Sequence, residues 1–228
     1  MLVKNWMTKD VITVDVDTSM ADAMQVMKDN NIQVLPVMKD GKLVGITTDR
    51  DLKKAWPSDA TTLDVHELGY LVARLKIDEV MKTKVITVPS DYTVEETAEI
   101  LDANTISGVP VVDRDGSLVG IITKSDIFRL MVEMTGLGKK GFQIAIRLKD
   151  EPGHVQQVRD IVRRYSGKVF SKLTQDSTAP EGYMDTYFRA AGIDRDRWEA
   201  CKKELEAVGE LLYVVDHRTG DRMIYKEV

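Results

Sequence analysis

The chain has 228 residues, 43% apolar content and a net charge of -5, enough apolar material for the cores of one large or two ordinary domains. No apolar run approaches the roughly 18 residues of a membrane-spanning helix, and Met1-Leu2-Val3-Lys4-Asn5-Trp6 lacks the charged-then-apolar order of a secretory signal. The expectation is a cytoplasmic protein with no membrane partner, and the spread of charge, without a block of lysine or arginine, argues against nucleic acid. Cys201, the single cysteine, stands at helical spacing from Trp198 and Leu205 and reads as an inert core thiol of a reducing compartment.

In chain order, Trp6-Met7-Thr8-Lys9-Asp10-Val11-Ile12-Thr13-Val14 returns 74 positions later as Val80-Met81-Lys82-Thr83-Lys84-Val85-Ile86-Thr87-Val88, and Pro36-Val37 returns as Pro110-Val111. After a one-residue insertion, Gly41-Lys42-Leu43-Val44-Gly45-Ile46-Thr47-Thr48-Asp49-Arg50-Asp51 returns as Gly116-Ser117-Leu118-Val119-Gly120-Ile121-Ile122-Thr123-Lys124-Ser125-Asp126. A repeat of this kind sets the domain boundaries. Each copy opens with a β-branched Val-Ile-Thr-Val strand. An amphipathic helix follows, with Met20, Ala23, Met24 and Met27 on one face in the first copy. Ser19 with Asp22 and Thr93 with Glu96 have capping-box spacing, and Asn30-Asn31 and Asn104 suit the helix ends. Two strands around a glycine turn, Val34-Leu35-Pro36-Val37 and Leu43-Val44-Gly45-Ile46 in the first copy, precede a second helix that begins near Asp51.

Pro57 stops that helix, and Leu68, Leu71, Val72 and Leu75 define another amphipathic helix between the copies. His66-Glu67 has the start of a zinc-protease helix, but the position of its second histidine holds Tyr70, so no metal site is expected. The divisions are 1-56 for the first copy, 57-76 for the connector, 77-132 for the second copy, 133-141 for a linker and 142-228 for a C-terminal domain.

In both copies a strand ends in a threonine followed three residues later by an aspartate: Thr48 with Asp51, and Thr123 with Asp126. One reading is a capping box that serves only to start the second helix. The other uses the same groups for a ligand, with free backbone N–H groups for phosphate and the aspartate accepting from a ribose diol. Arg50 and Lys124 add one cation beside each pair, suited either to phosphate or to an ordinary ion pair.

With Gly-Ile-Thr-Thr-Asp-Arg-Asp and Gly-Ile-Ile-Thr-Lys-Ser-Asp in register behind the Val-Ile-Thr-Val and Pro-Val strands, residues 1-132 resemble tandem CBS domains, the cystathionine beta-synthase repeats that pair into one module. The resemblance implies an adenosyl ligand, such as AMP, ATP or S-adenosylmethionine, in a cleft where the copies meet. Thr48 and Thr123 would lie near ribose or phosphate, Asp51 and Asp126 on the ribose hydroxyls, and the purine against Ile12-Thr13-Val14 and Val34-Leu35-Pro36, or Ile86-Thr87-Val88 and Gly108-Val109-Pro110. Because Lys124-Ser125 departs from Asp49-Arg50, the two sites are not expected to be equal.

Gly136-Leu137-Gly138-Lys139-Lys140-Gly141 matches the dinucleotide pattern G-x-G-x-x-G by letter, but a helical segment, Ile127 to Met134, precedes it and a strand follows, the reverse of what that loop requires. It reads as a linker. Beyond it, strands over Phe142 to Leu148, Val169 to Thr174, Tyr183 to Ala190 and Leu211 to Val215 alternate with helices marked by Val155, Val158, Val162 and Tyr165, and by Trp198, Cys201, Leu205 and Val208. The order βαββαβ is that of a ferredoxin-like α+β sandwich. With the Asp150-Glu151-Pro152-Gly153 turn it resembles an ACT domain. That resemblance implies an amino-acid effector facing Asp150, Gly153 and His154; the alternative is a turn that only shapes the start of a helix. The whole resembles the acetoin-utilisation protein B family of CBS-ACT proteins, which implies a homodimeric regulator acting on a separate target protein. Two other readings stand beside it, a structural adaptor with vestigial sites and an enzyme acting on a nucleotide. No catalytic residues are assigned, since no Gly-x-Ser-x-Gly elbow, zinc spacing or Cys-His signature occurs.

Overall fold

Val34-Leu35-Pro36-Val37 offers no polar face, and strand β2 (Val34–Lys39) is accordingly the buried centre of a small sheet. Strand β1 (Val14–Asp15) pairs with it in parallel and β3 (Lys42–Thr48) antiparallel. The second copy repeats this order with β4 (Val88–Pro89), β5 (Gly108–Val112) and β6 (Leu118–Thr123). Residues 1-56 and 74-226 are described by the computed structural model, in two compact units, Met1–Phe128 and Arg129–Val228. Pro57, His66-Glu67, Leu68, Tyr70, Leu71 and Val72 of the expected connector lie outside the described residues.

Helix α1 (Met20–Asp29) buries Met20, Ala23 and Met27 in one cluster with Leu35, Val37 and Leu52, and Met24 packs at its margin. Ser19 accepts from the Asp22 amide at 3.1 Å and its hydroxyl donates to the Asp22 carboxylate at 2.7 Å. In helix α3 (Val94–Ala103) the Thr93–Glu96 box closes fully, the carboxylate accepting from the Thr93 amide at 2.7 Å. Glutamate has the extra methylene needed to reach back. Asn30 and Asn104 cap the helix ends, each side-chain amide donating at 2.8 Å to the carbonyl four residues before. Helix α2 (Asp49–Ala55) and helix α4 (Lys124–Met134) follow β3 and β6.

The expected Val-Ile-Thr-Val strands are shorter than their composition predicts. Only Val14-Asp15 and Val88-Pro89 pair, because Val11 and Val85 still close tight turns onto Lys9 and Thr83. Ile12, Thr13, Ile86 and Thr87 are therefore irregular chain leading into the sheet, not strand.

The segment before each first strand crosses to the other copy. Val3 donates to Tyr92, Val94 to Met1, and Thr8 exchanges two backbone hydrogen bonds with Ile121, both 2.9 Å. Reciprocally, Ile77 donates to Thr18, Met20 to Leu75, and Lys82 exchanges hydrogen bonds of 2.9 and 3.0 Å with Ile46. Each crossing is seated by a methionine over a glycine, Met7 on Gly120 and Met81 on Gly45, where a Cβ would have no room.

In the second unit β7 (Phe142–Lys149), α5 (His154–Arg164), β8 (Lys168–Gln175), β9 (Tyr183–Ala191), α6 (Trp198–Glu206) and β10 (Glu210–Asp216) give the expected βαββαβ order, and a further strand β11 (Arg222–Ile224) follows. The sheet is antiparallel in the order β11-β10-β7-β9-β8. Alternation along β7 sends Phe142, Ile144, Ile146 and Leu148 into a core with Val158, Val162 and Phe188, where Phe142 stacks on Trp198 at 4.4 Å. Cys201 is fully buried in that core and its thiol is pushed up to about 11, burial disfavouring the thiolate, as expected of an inert thiol.

The glycine-rich segment is not a phosphate loop. Helix α4 precedes it, and Gly141 lies so tightly under β9 that an added Cβ would collide with the Ala190 carbonyl. Gly141→Ala is therefore expected to destabilise the C-terminal unit by about 3 kcal/mol, the upper range for overpacking against atoms that cannot move aside. Denaturant unfolding followed by Trp198 fluorescence measures it; an unchanged midpoint would contradict the close packing.

Candidate functional site

The two threonine–aspartate pairs sit at the ends of β3 and β6, where each strand turns into a helix. Thr48 caps α2: its hydroxyl oxygen accepts from the Asp51 amide at 3.2 Å and its O–H donates to Asp51 Oδ2 at 2.6 Å. Thr123 and Asp126 do the same at 3.3 and 2.6 Å, and the Thr123 amide donates to Asp126 Oδ2 at 2.9 Å. The capping role is thus present in both copies. It leaves acceptor capacity on each carboxylate, which has about four lone-pair positions.

Strand register carries the pairs toward the line where the copies meet. Thr48 is opposite Val34, and Thr123 is opposite Gly108. Val34 and Gly108 are equivalent positions of the repeat, and a Cβ on Gly108 would stand 3.4 Å from Val34 Cγ2. A continuous row, Thr48, Val34, Gly108 and Thr123, therefore runs across the pseudo-twofold. The same Cβ on Gly108 would come closer still to Thr123 Cγ2, at 3.0 Å.

The first pair takes a cation from the other copy. Lys82, delivered by the crossing segment of the second copy, places Nζ 2.9 Å from Asp51 Oδ1 and 3.1 Å from Oδ2. The Asp51 side chain is 14% exposed and that of Lys82 61%. Burial pushes the Asp51 carboxyl up, but the Thr48 hydroxyl and the Lys82 ammonium together outweigh it and hold it below the ordinary 3.8. At the position equivalent to Lys82 the other crossing segment carries Thr8, whose backbone is bridged to Ile121. Sequence reading named neither Lys82 nor Thr8; the Met-Lys and Met-Thr equivalence was visible, but not the crossing that sends each to the other copy.

Of the residues expected to touch a purine, Val14, Val34, Leu35, Pro36, Val88, Gly108, Val109 and Pro110 are buried in the sheets, so their side chains are committed to packing. Ile12, Thr13, Ile86 and Thr87 keep partly open side chains. Arg50 is exposed and Lys124 half-buried.

In the second unit, Arg147, Lys149, His154, Tyr183 and the 206-210 segment line a cleft of about 400 Å³. Only His154 of the three expected effector residues lines it. Asp150 is exposed and its amide is tied to Gly182 at 2.9 Å, while Gly153 holds a φ of +103° before α5, a conformation that favours glycine. Arg147 is already paired with buried Asp185, through hydrogen bonds of 2.7 and 2.9 Å. Among the described residues, no cluster of His, Cys, Asp or Glu could hold a metal ion, and no helix is long and apolar enough to cross a membrane.

The CBS domain family matches residues 3-58 and 77-133, and a CBS domain-containing protein of Dictyostelium discoideum is 33% identical over 134 residues, 58% of this chain and 92% of that protein. The chain belongs to the CBS domain family. Its CBS pair is similar to a Vibrio cholerae protein described as an acetoin utilization protein, with 28% identity, a TM-score of 0.51 and coverage of 61% of this chain and 96% of that one. It is also similar, at 35% identity and a TM-score of 0.49 over 58% of this chain and 97% of the other, to a CBS domain pair crystallised with 5′-methylthioadenosine and S-adenosyl-L-methionine. The threonine–aspartate pairs lie within the residues that the CBS domain family matches. These matches leave the ACT resemblance of residues 142-216 resting on its element order and sheet topology.

A carboxylate held low in the folded state contributes stability above its unfolded pKa and loses it as pH falls through the folded value. Asp51 should therefore titrate below 3.8 in the folded protein, and Lys82→Met should move its midpoint up. Carboxyl ¹³C shifts read this directly; a midpoint that does not move would remove Lys82 from the account.

Proposed function

We propose that the protein is a regulatory sensor whose CBS module binds an adenine nucleotide or another adenosyl ligand such as S-adenosylmethionine. The observation that carries this reading is the doubled threonine–aspartate pair, set at two equivalent strand ends and joined across the pseudo-twofold by Val34 and Gly108. A capping function alone needs no such placement, since Ser19 and Thr93 cap helices away from this row. Each aspartate would accept from a ribose diol, and Arg50 and Lys124 would supply cations for phosphate.

The C-terminal unit completes the reading as an ACT-type domain that takes an amino acid. His154, Lys149 and the neighbouring carboxylates of Glu206 and Glu210 give its cleft both signs of charge, as an amino acid's own two charges require. The protein would work as a homodimer, and ligand occupancy would shift its arrangement toward the one with the higher affinity. The receiver of the signal would be a separate protein.

Asp51→Ala and Asp126→Ala each remove charge-assisted hydrogen bonds worth about 1.5–3 kcal/mol, so each should weaken its own site roughly ten- to a hundredfold. Calorimetry with AMP, ATP and S-adenosylmethionine tests this, after mass spectrometry of ligands released from natively purified protein. No bound adenosyl compound, together with isotherms that neither substitution changes, would leave the capping role alone and favour a structural adaptor.

A further inference from the structure

We propose that the cleft of the C-terminal unit takes an acidic amino acid, one that brings two carboxylates and a single ammonium. This rests on the reading of that unit as an ACT-type domain and names the class of its ligand. Arg147 and Lys149 stand two residues apart on β7, so their side chains leave the same face of the sheet, and both line the cleft. Opposite them on β9 are Asp185 and Tyr183. Asp185 is fully buried and clamps the Arg147 guanidinium, accepting from Nε at 2.7 Å and from Nη2 at 2.9 Å. A planar guanidinium pinned along one edge holds its remaining nitrogen at a fixed place, ready for a carboxylate. That nitrogen, Nη1, makes no hydrogen bond among the described residues, and its contact with Glu210 Oε2, at 3.8 Å, is too long for one.

The charges around the cleft are not balanced within it. Glu210 is already answered by Lys226, at 2.7 Å. Glu206 meets Lys202 only at 3.7 Å, an ion pair without a hydrogen bond, and so keeps acceptors for one ammonium. On the opposite sign, Lys149 has no ion pair among the described residues. His154 contacts the Glu151 carbonyl through Nδ1 at 3.4 Å, which leaves its Nε2 for a ligand. Two cationic donors, Arg147 Nη1 and Lys149 Nζ, therefore stand open where one carboxylate does. A neutral amino acid leaves one of these cations unanswered, and a basic one brings a second ammonium with no carboxylate to receive it. An acidic amino acid matches the three charges one for one.

Glutamate with glutamine, and aspartate with asparagine, differ by one charge at nearly constant shape and are the probes. Titration calorimetry on the full-length protein should show the acid of one pair bound about tenfold more tightly than its amide, the increment of one charge-assisted contact. Lys149→Met should remove most of that preference while the affinity for the amide is retained, and Lys149→Arg should restore it. An amide bound as tightly as its acid in both pairs overturns the assignment while the amino-acid reading stands. So does a neutral or basic amino acid bound more tightly than either acid. A preference that Lys149→Met leaves unchanged, or equal losses for acid and amide, also overturns it. If none of the common amino acids binds, the amino-acid reading and this inference fall together.

Discussion

Two backbone bridges, Thr8 with Ile121 and Lys82 with Ile46, hold the CBS module in its form. Strands β3 and β6 are the outer strands of three-stranded sheets, and an outer strand left bare exposes a row of unpaired amides and carbonyls. The crossing segments occupy part of those edges. Each bridge contributes two hydrogen bonds, about 0.5–1.5 kcal/mol apiece, and the buried residues Val3 and Ile77 add apolar burial on the same segments. Because each segment belongs in sequence to one copy and in space to the other, neither copy has a complete sheet edge by itself.

The same exchange places substitutions in one copy beside the threonine–aspartate pair of the other. A strict repeat would give two identical sites, but substitutions at equivalent positions act on opposite copies. Val34 and Gly108 occupy one such pair of positions, and a Cβ on Gly108 would press first on Thr123 of its own copy, at 3.0 Å. Lys82 and Thr8 occupy another. Lys82 reaches across to the first copy as an ammonium 2.9 Å from the Asp51 carboxylate.

Most of the fold was legible because its signals are local. Capping at Ser19 and Thr93, the methionine face of α1, the glycine turns and the βαββαβ order all depend on spacing within a few residues. The extent of β1 and β4 was not legible: Ile12-Thr13 and Ile86-Thr87 have strand composition, yet the tight turns at Val11 and Val85 delay pairing until the last residue of each run. The crossing segments were not legible either, since contact between Thr8 and Ile121 leaves no period in the sequence. Thr48 with Asp51 and Thr123 with Asp126 were found as pairs, and of the two roles weighed for them the structure shows the cap. Lys82 could have been flagged only by asking where the repeat breaks its own charge pattern.

The helices that start at the two sites also lead to different places. Helix α2 runs seven residues to Ala55, whereas α4 starts beside Asp126 and runs eleven residues, the division between the two units falling after Phe128. At 1.5 Å per residue α4 is about 16 Å of continuous helix, and its first turn holds the Thr123 cap. The first turn of α4 thus belongs to the CBS module and its remainder to the C-terminal unit, so the Thr123 cap fixes where the chain of that helix begins.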